Sequence, residues 1–270
     1  MLIVAATPIG NLGDHSPRLL EALKDAAMVV AEDTRTTKKL LGALGAESHA
    51  EFVPLHEHNE RELIDRVLDK AATALVVLVS DAGMPGISDP GFALIRAAHE
   101  RGIRVSPLPG PSAVTAALAA SGLPTDRFCF EGFIPKKGKR EAIERLRLEE
   151  RTMVFFESPH RLADTLSVMA ELFGPDRQAS VCRELSKMFE QVRTATLGEL
   201  AQEYAEGTKG EITLVVAGSH GPAVSFEDAV EQARQLVSSG VRAADAAREI
   251  ARESGYSKRE LYSALLGSGA

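Results

Sequence analysis

The stretch ALVVLVSDAGMPGISDPG, residues 74–91, joins a short apolar run to a long turn rich in glycine and proline. The run Ala74–Ser80 has the length and the β-branched composition of a buried strand, and the glycines and prolines after it interrupt regular structure. A strand that is apolar at nearly every position has both faces covered, as in a parallel sheet with helices on both sides. Residues 74–91 therefore predict an α/β fold.

The same sequence of strand and then turn occurs twice more in the first 120 residues. Strand Leu2–Ala6 leads into TPIGNLGD (7–14), and strand Arg104–Pro107 leads into PLPGPSA (107–113). Because the carboxyl ends of parallel strands lie at one edge of a sheet, we expect these three turns to line a shared ligand pocket. For any single turn, the alternative that glycine and proline merely end the strand stays open.

The pattern of apolar residues along the rest of the sequence divides the chain into three predicted regions. Residues 1–122 are predicted to form a first α/β domain, with further strands at Met28–Glu32 and near Phe52–Leu55. Residues 123–221 are predicted to form a second α/β domain with a mixed sheet, because two strands near residues 181 and 194 lack room for a crossover helix. Residues 222–270 carry only helical periodicity and predict a small three-helix appendage, for which a helix-turn-helix is one arrangement.

Composition excludes several classes of protein. The chain has 270 residues, of which 44% are hydrophobic and 26% charged, as in an ordinary globular protein. Its net charge of −7 argues against broad non-specific coating of nucleic acid, so any affinity for nucleic acid must come from local patches. Two cysteines are too few for a disulfide framework, and no apolar run is long enough for a membrane span. We expect a cytoplasmic protein that does not enter a membrane.

Common cofactor fingerprints are absent from the sequence. No GxGxxG follows a strand, no P-loop ends in Ser or Thr, and no GxSxG occurs. The cluster His56-Glu57-His58 does not match the spacing of a helical or finger metal site, and a solvated loop is its more ordinary interpretation. We expect no metal.

Five segments together resemble the tetrapyrrole methylase superfamily: ATPIGNLGD (6–14), AEDTRTT (31–37), SDAGMPGISDPG (80–91), PLPGPSA (107–113) and FFESPHR (155–161). Within it they resemble the branch that 2′-O-methylates a cytidine in the decoding centre of 16S rRNA. The resemblance implies S-adenosylmethionine, with S-adenosylhomocysteine as product, in a cleft between two α/β domains. It also implies 16S rRNA as partner, within the assembled small ribosomal subunit, and a homodimer.

Carried over by position, the resemblance places the cofactor contacts on the three turns and on the second domain. These residues are Pro8, Gly10, Leu12, Asp81, Gly83, Ile87, Ser88, Ser112, Ala113, Phe156 and Thr213. Small-molecule relatives carry a shorter Gly-Asp-Pro turn at the second position, where this chain has the longer DAGMPGISDPG (81–91).

A ribose hydroxyl is a poor nucleophile while protonated, so a general base or an orienting group is expected beside it. Polar residues at predicted strand ends supply the candidates. Our hypothesis is that Glu157 or Glu184 orients or deprotonates the hydroxyl, with Arg183 and Lys187 beside them holding phosphate. A structural ion pair between the domains is an equally good interpretation of each residue.

Further basic residues are predicted to contact RNA phosphates. They are Arg35, Arg161, the cluster Lys136, Lys137, Lys139 and Arg140 on a glycine-containing loop, and Lys258 and Arg259 at the start of the last helix. Phe133, Phe155, Phe156 and Tyr262 are the aromatic candidates for stacking on a base, although core packing is the default role of phenylalanine. A methyltransferase of a small tetrapyrrole and a non-catalytic RNA- or nucleotide-binding factor remain alternatives.

Overall fold

The computed structural model describes residues 1–56, 59–219 and 225–267. Its first half is a five-stranded parallel sheet in the order β3-β2-β4-β1-β5. The elements are β1 Leu2–Ala5, α1 Pro17–Asp25, β2 Met28–Ala31, α2 Thr34–Ala43, β3 Glu51–Pro54, α3 Glu60–Thr73, β4 Val76–Val79, α4 Phe92–Glu100, β5 Val105–Leu108 and α5 Ala113–Ser121. The three central strands β2, β4 and β1 are almost wholly buried, as their unbroken apolar sequences predict.

The second half is a mixed sheet in the order β6-β7-β10-β8-β9. Its elements are β6 Phe128–Phe133, α6 Lys139–Glu144, β7 Thr152–Glu157, α7 Leu162–Phe173, β8 Gln178–Arg183, β9 Gln191–Thr196, α8 Leu197–Glu203 and β10 Ile212–Val216. Strands β6 and β7 are parallel and the remaining pairs are antiparallel. The prediction of a mixed sheet is confirmed.

Helix α5 connects the two sheets. Its sequence AVTAALAAS is apolar on nearly every side, and Val114, Ala117 and Leu118 share a buried cluster with Val154 and Val215 of the second sheet. An all-round apolar helix has to be covered on several faces, and here one of its neighbours is the second sheet. This packing holds the turns of the first sheet against the second.

Three helices follow, α9 Phe226–Ser238, α10 Ala243–Ser254 and α11 Lys258–Leu266, and they share a core of their own. Arg147 ties this unit to the second half: its guanidinium donates to the carbonyls of Ala251 at 3.1 Å, Gly255 at 2.7 Å and Tyr256 at 3.0 Å. These carbonyls lie at the carboxyl end of α10, where backbone acceptors lack helical partners and a cation is favourable. No helix within the described residues is long and apolar enough to cross a membrane.

One local prediction is confirmed only in part. Residues 136–140 were expected to form a loop; residues 136–138 do so, whereas α6 begins at Lys139. Gly138 precedes the helix in the left-handed conformation, with φ of 69°, and so reverses the chain into it. Glu57 and His58 of the predicted histidine cluster lie outside the described residues.

Candidate functional site

The three glycine- and proline-rich turns meet at one edge of the first sheet because β4, β1 and β5 are neighbours. Thr7 and Gly83 exchange two backbone hydrogen bonds, of 2.9 and 3.1 Å, which join the first turn to the second. In the third turn, Gly110 packs closely against Ala6. A Cβ atom added to Gly110 would lie only 2.9 Å from Cβ of Ala6. The turns are therefore fixed by close backbone contacts, and the prediction that they gather is confirmed.

A cavity of about 420 Å³ lies between these turns and the second sheet, and we call it the main cavity. Its volume is within the range of small-molecule sites. Eight predicted cofactor residues line it: Asp81, Gly83, Ile87, Ser88, Ser112, Ala113, Phe156 and Thr213. The other three, Pro8, Gly10 and Leu12, line a neighbouring cavity of about 270 Å³, the side cavity.

The second sheet supplies an aromatic wall to the main cavity. Phe156 on β7 is paired in register with Thr213 on β10, and both face the cavity. The Phe156 ring packs against Phe130 and Phe133, with ring centroids 4.9 and 5.4 Å apart. Phe133 lines the cavity with 60% of its surface exposed, whereas Phe155 is only 1% exposed and belongs to the core.

Three carboxyl groups form a negatively charged side of the main cavity: Glu32, Asp81 and Asp89. The Asp81 carboxylate accepts a hydrogen bond from the backbone N–H of Asp33 at 3.1 Å. Burial, and then the nearby charges of Glu32 and Asp81, raise the pKa of Asp89 to about 6, although a hydrogen bond with Ser80 acts the other way. This wall suits a cationic ligand.

Asp89 was missed from the sequence because Glu32, one of the two carboxylates that act on it, is remote in the chain. Its position inside the turn SDPG (88–91) was the available signal. Among the described residues, no group of His, Cys, Asp and Glu side chains is arranged to hold a metal ion.

Glu157 lines the main cavity, but its side chain is fully buried and both oxygens have partners. One oxygen accepts from the backbone N–H of Ser158 and the other from the hydroxyl of Thr165, each at 2.7 Å. Arg161 lies 3.5 Å from the first oxygen and also donates to the carbonyls of Ile134 and Pro135. These contacts favour a positioning role for Glu157 and Arg161.

Lys187 crosses from the second half to the first turn. Its ammonium lies 3.0 Å from a carboxylate oxygen of Glu184 and 3.1 Å from one of Glu211. Its alkyl chain packs so closely on Gly10 that a Cβ atom added to Gly10 would overlap Cγ of Lys187. The backbone N–H of Glu211, followed by the Lys187 ammonium, lowers the pKa of Glu184. A carboxylate stabilised in its charged form is a weak base, so Glu184 also has the contacts of a positioning residue.

The predicted RNA-contacting residues divide into paired and unpaired side chains. Lys139 donates to Asp164 at 2.6 Å and to Thr165 at 2.9 Å, Arg140 pairs with Glu171, and Arg35 pairs with Asp33 at 2.7 Å. Arg183 donates to the side chain of Gln191 at 3.2 Å. Within the described chain, Lys136 and Lys137 have no ion-pair partner, and both are exposed.

The amino terminus of α11 is already satisfied by its own side chains. Ser257 and Glu260 form a reciprocal capping box, with the Glu260 N–H donating to the Ser257 hydroxyl at 3.1 Å. A carboxylate therefore occupies the place where a phosphate would bind. Lys258 and Arg259 remain exposed beside it, and their contact with RNA stays a prediction.

The chain is similar to known proteins along most of its length. Residues 1–201 match the family model described as Tetrapyrrole (Corrin/Porphyrin) Methylases. Proteins named Ribosomal RNA small subunit methyltransferase I are similar along most of their length. The Mycobacterium tuberculosis protein is 46% identical over 99% of this chain and 95% of its own length. The Pseudomonas aeruginosa protein is 48% identical over 82% of this chain and 80% of its own length.

Solved structures show the same fold at low sequence identity. A diphthine synthase superposes with a TM-score of 0.61 and 19% identity, covering 80% of this chain and 90% of its own. A uroporphyrin-III-C-methyltransferase from Thermus thermophilus superposes with a TM-score of 0.56 and 20% identity, covering 80% of this chain and 93% of its own. These two similarities extend over both sheets and concern the fold alone.

Proposed function

Because this chain belongs to the tetrapyrrole methylase family, and within it to the group named ribosomal RNA small subunit methyltransferase I, we propose that it methylates small-subunit rRNA. The methyl donor is S-adenosylmethionine, which leaves as S-adenosylhomocysteine, and the acceptor is the ribose 2′-hydroxyl of a cytidine in the decoding centre. The main cavity, built from backbone turns and closed by the second sheet, is the observation that carries this proposal.

The residues around the main cavity fit S-adenosylmethionine. The donor carries a sulfonium and an ammonium group, and Glu32, Asp81 and Asp89 supply negative charge on one side of the cavity. Glycines in the turns allow close approach of the backbone, and Phe156 offers an apolar surface for a planar base. When bound, the donor supplies an electrophilic methyl group.

This chain's own residues would act mainly by positioning. Methyl transfer requires nucleophile, carbon and sulfur in line, so fixing the geometry supplies much of the acceleration. The backbone bridge between Thr7 and Gly83 and the Lys187 contacts to Glu184 and Glu211 hold the walls of the site in place. We propose that Glu157 and Glu184 orient these walls, since their oxygens already accept hydrogen bonds.

Single-turnover methylation by Glu157→Gln and Glu184→Gln tests that assignment. We expect rates within about tenfold of the unsubstituted protein, because loss of a general base costs about a hundredfold or more. A loss of that larger size in either variant, with the fold intact by circular dichroism, would restore that carboxylate as the base.

The acceptor is tested by offering labelled S-adenosylmethionine with assembled small subunits, naked 16S rRNA or a tetrapyrrole. We expect label in the rRNA of assembled subunits. Its position follows from alkaline hydrolysis, since a 2′-O-methylated nucleotide resists cleavage and is released as a dinucleotide. Label in the tetrapyrrole alone would identify a small-molecule enzyme, and binding without transfer would identify a non-catalytic factor.

We also propose a homodimer that acts in the cytoplasm, where ribosomal subunits are found. Met188 and Phe189, at the turn between β8 and β9, are 90% and 69% exposed, and adjoining exposed apolar side chains are typical of interaction surfaces. Sedimentation equilibrium of the purified protein tests the dimer, and a monomer at all concentrations would contradict it.

A further inference from the structure

The side cavity adjoins the main cavity and is bounded by different elements. One wall is the first turn, with Gly10 and Leu12, and the other is α2, with Thr36, Lys39 and Ala43. Asp81 lines both cavities and lies where they meet. A ligand in the side cavity would therefore lie next to a ligand in the main cavity.

Methyl transfer needs such an adjacent place for the acceptor, because the nucleophile must reach the methyl carbon directly. The side cavity is about 270 Å³, against about 420 Å³ for the main cavity. The smaller volume suits one nucleotide better than a macrocycle bearing several carboxylates, for which the lining offers only one cation, Lys39.

The charged residues of α2 distinguish Lys39 from its neighbours. Arg35 is held by Asp33 at 2.7 Å, and the Lys38 ammonium lies over the Phe52 ring, 4.9 Å from its centroid. Lys39 has no ion-pair partner within the described residues, is exposed and lines the side cavity. An unpaired ammonium at the edge of a mostly apolar cavity suits a phosphate attached to a planar base.

We propose that the side cavity holds the nucleotide that becomes methylated, with its base near Leu12 and a backbone phosphate on Lys39. This inference rests on the proposed function, because it takes the acceptor to be RNA. It assigns α2 to substrate binding, moves Pro8, Gly10 and Leu12 from the expected cofactor contacts to the acceptor, and leaves the main cavity to the methyl donor.

Two substitutions in the side cavity, each with a matched control on the same helix, test this assignment. Lys39→Gln removes the ammonium, and Lys38→Gln removes the same charge one residue away. Ala43→Leu fills the cavity, and Gly42→Leu adds a side chain where a Cβ atom meets nothing within 4 Å. The readouts are kcat and KM for assembled small subunits and the Kd for S-adenosylhomocysteine by calorimetry.

We expect Lys39→Gln to raise KM for the subunits about tenfold and Ala43→Leu to lower kcat/KM by at least as much, with the Kd for S-adenosylhomocysteine unchanged. Both controls should match the unsubstituted protein. Unchanged kinetics in Lys39→Gln and Ala43→Leu, or an equal effect in Lys38→Gln, would overturn the inference, as would loss of S-adenosylhomocysteine binding. If the unsubstituted protein itself transfers no label to rRNA, the proposed function fails first.

Discussion

The turns around the main cavity and the basic segment 136–140 are organised by different forces. The turns are held by backbone hydrogen bonds and close glycine contacts, such as those of Thr7, Gly83 and Gly110. In the basic segment, Lys139 and Arg140 are held by side-chain ion pairs with α7. Backbone contacts leave the side chains of the cavity wall available to a ligand, whereas ion pairs occupy the very groups that would bind RNA.

Gly110→Val should give the largest effect, because a side chain at this position has no room between the third turn and Ala6. Its Cβ atom would lie 2.9 Å from Cβ of Ala6, which has no rotamer to move away. We expect a loss of about 1–3 kcal/mol in the free energy of unfolding and at least tenfold weaker binding of S-adenosylhomocysteine, since Ser112 and Ala113 follow in the cavity wall.

Urea unfolding and calorimetry measure the two quantities. Gly42→Val is the control, because a Cβ atom there meets nothing within 4 Å. Unchanged affinity in a destabilised Gly110→Val protein would show that the third turn does not shape the cofactor site.

Lys139→Met should affect stability and leave RNA binding unchanged. The Lys139 side chain is 14% exposed and its ammonium donates to Asp164 and Thr165, so its loss removes two hydrogen bonds within the fold. Because Asp164 is largely exposed, we expect a cost of only about 1 kcal/mol in urea unfolding. Weaker rRNA binding at full stability would instead return Lys139 to the RNA-contacting set.

The sequence was sufficient where structure follows from local pattern. The apolar runs of β1, β2 and β4 and the turns after β1, β4 and β5 were predicted, because burial of parallel strands and glycine turns leave direct marks in the sequence. The partner of Lys139 could not be predicted, since Asp164 lies 25 residues away on α7. Asp89 was missed for the same reason: Glu32 approaches it only after β2 and β4 have paired.

Among the residues that the structure describes, Lys136 and Lys137 are the part of the basic segment without an ion-pair partner, so their replacement should affect RNA binding alone. We expect the double variant Lys136→Gln/Lys137→Gln to bind small subunits a few-fold less tightly. The slope of log affinity against log salt concentration should become shallower by about one for each phosphate that these lysines neutralise in the unsubstituted protein. Filter binding across a salt series measures both quantities, and an unchanged slope would exclude phosphate contact by these two lysines.

Asp89→Asn extends the comparison to a charge inside the cavity, where the expected effect is confined to a narrow pH range. The pKa of Asp89 is raised from 3.8 to about 6 in the folded protein, chiefly by burial. Folded protein then holds this proton between about pH 4 and 6 while unfolded protein releases it, so the Asp89 contribution to stability falls as pH rises through that range. Asn carries no titrating proton, so this decline should be absent from the variant.

The difference in Tm between Asp89→Asn and the unsubstituted protein isolates this contribution from carboxyls such as Glu184, whose lowered pKa gives the opposite trend. The difference should shift in favour of the variant from pH 4 to pH 6 and stay constant above that. Binding of S-adenosylmethionine should show the converse, because the cationic donor gains from an ionised Asp89 and the variant lacks that gain. If the Tm of the two proteins changed with pH in parallel, Asp89 would ionise as freely in the cavity as in the unfolded chain. Asp89 would then be an aspartate of ordinary pKa beside Glu32 and Asp81.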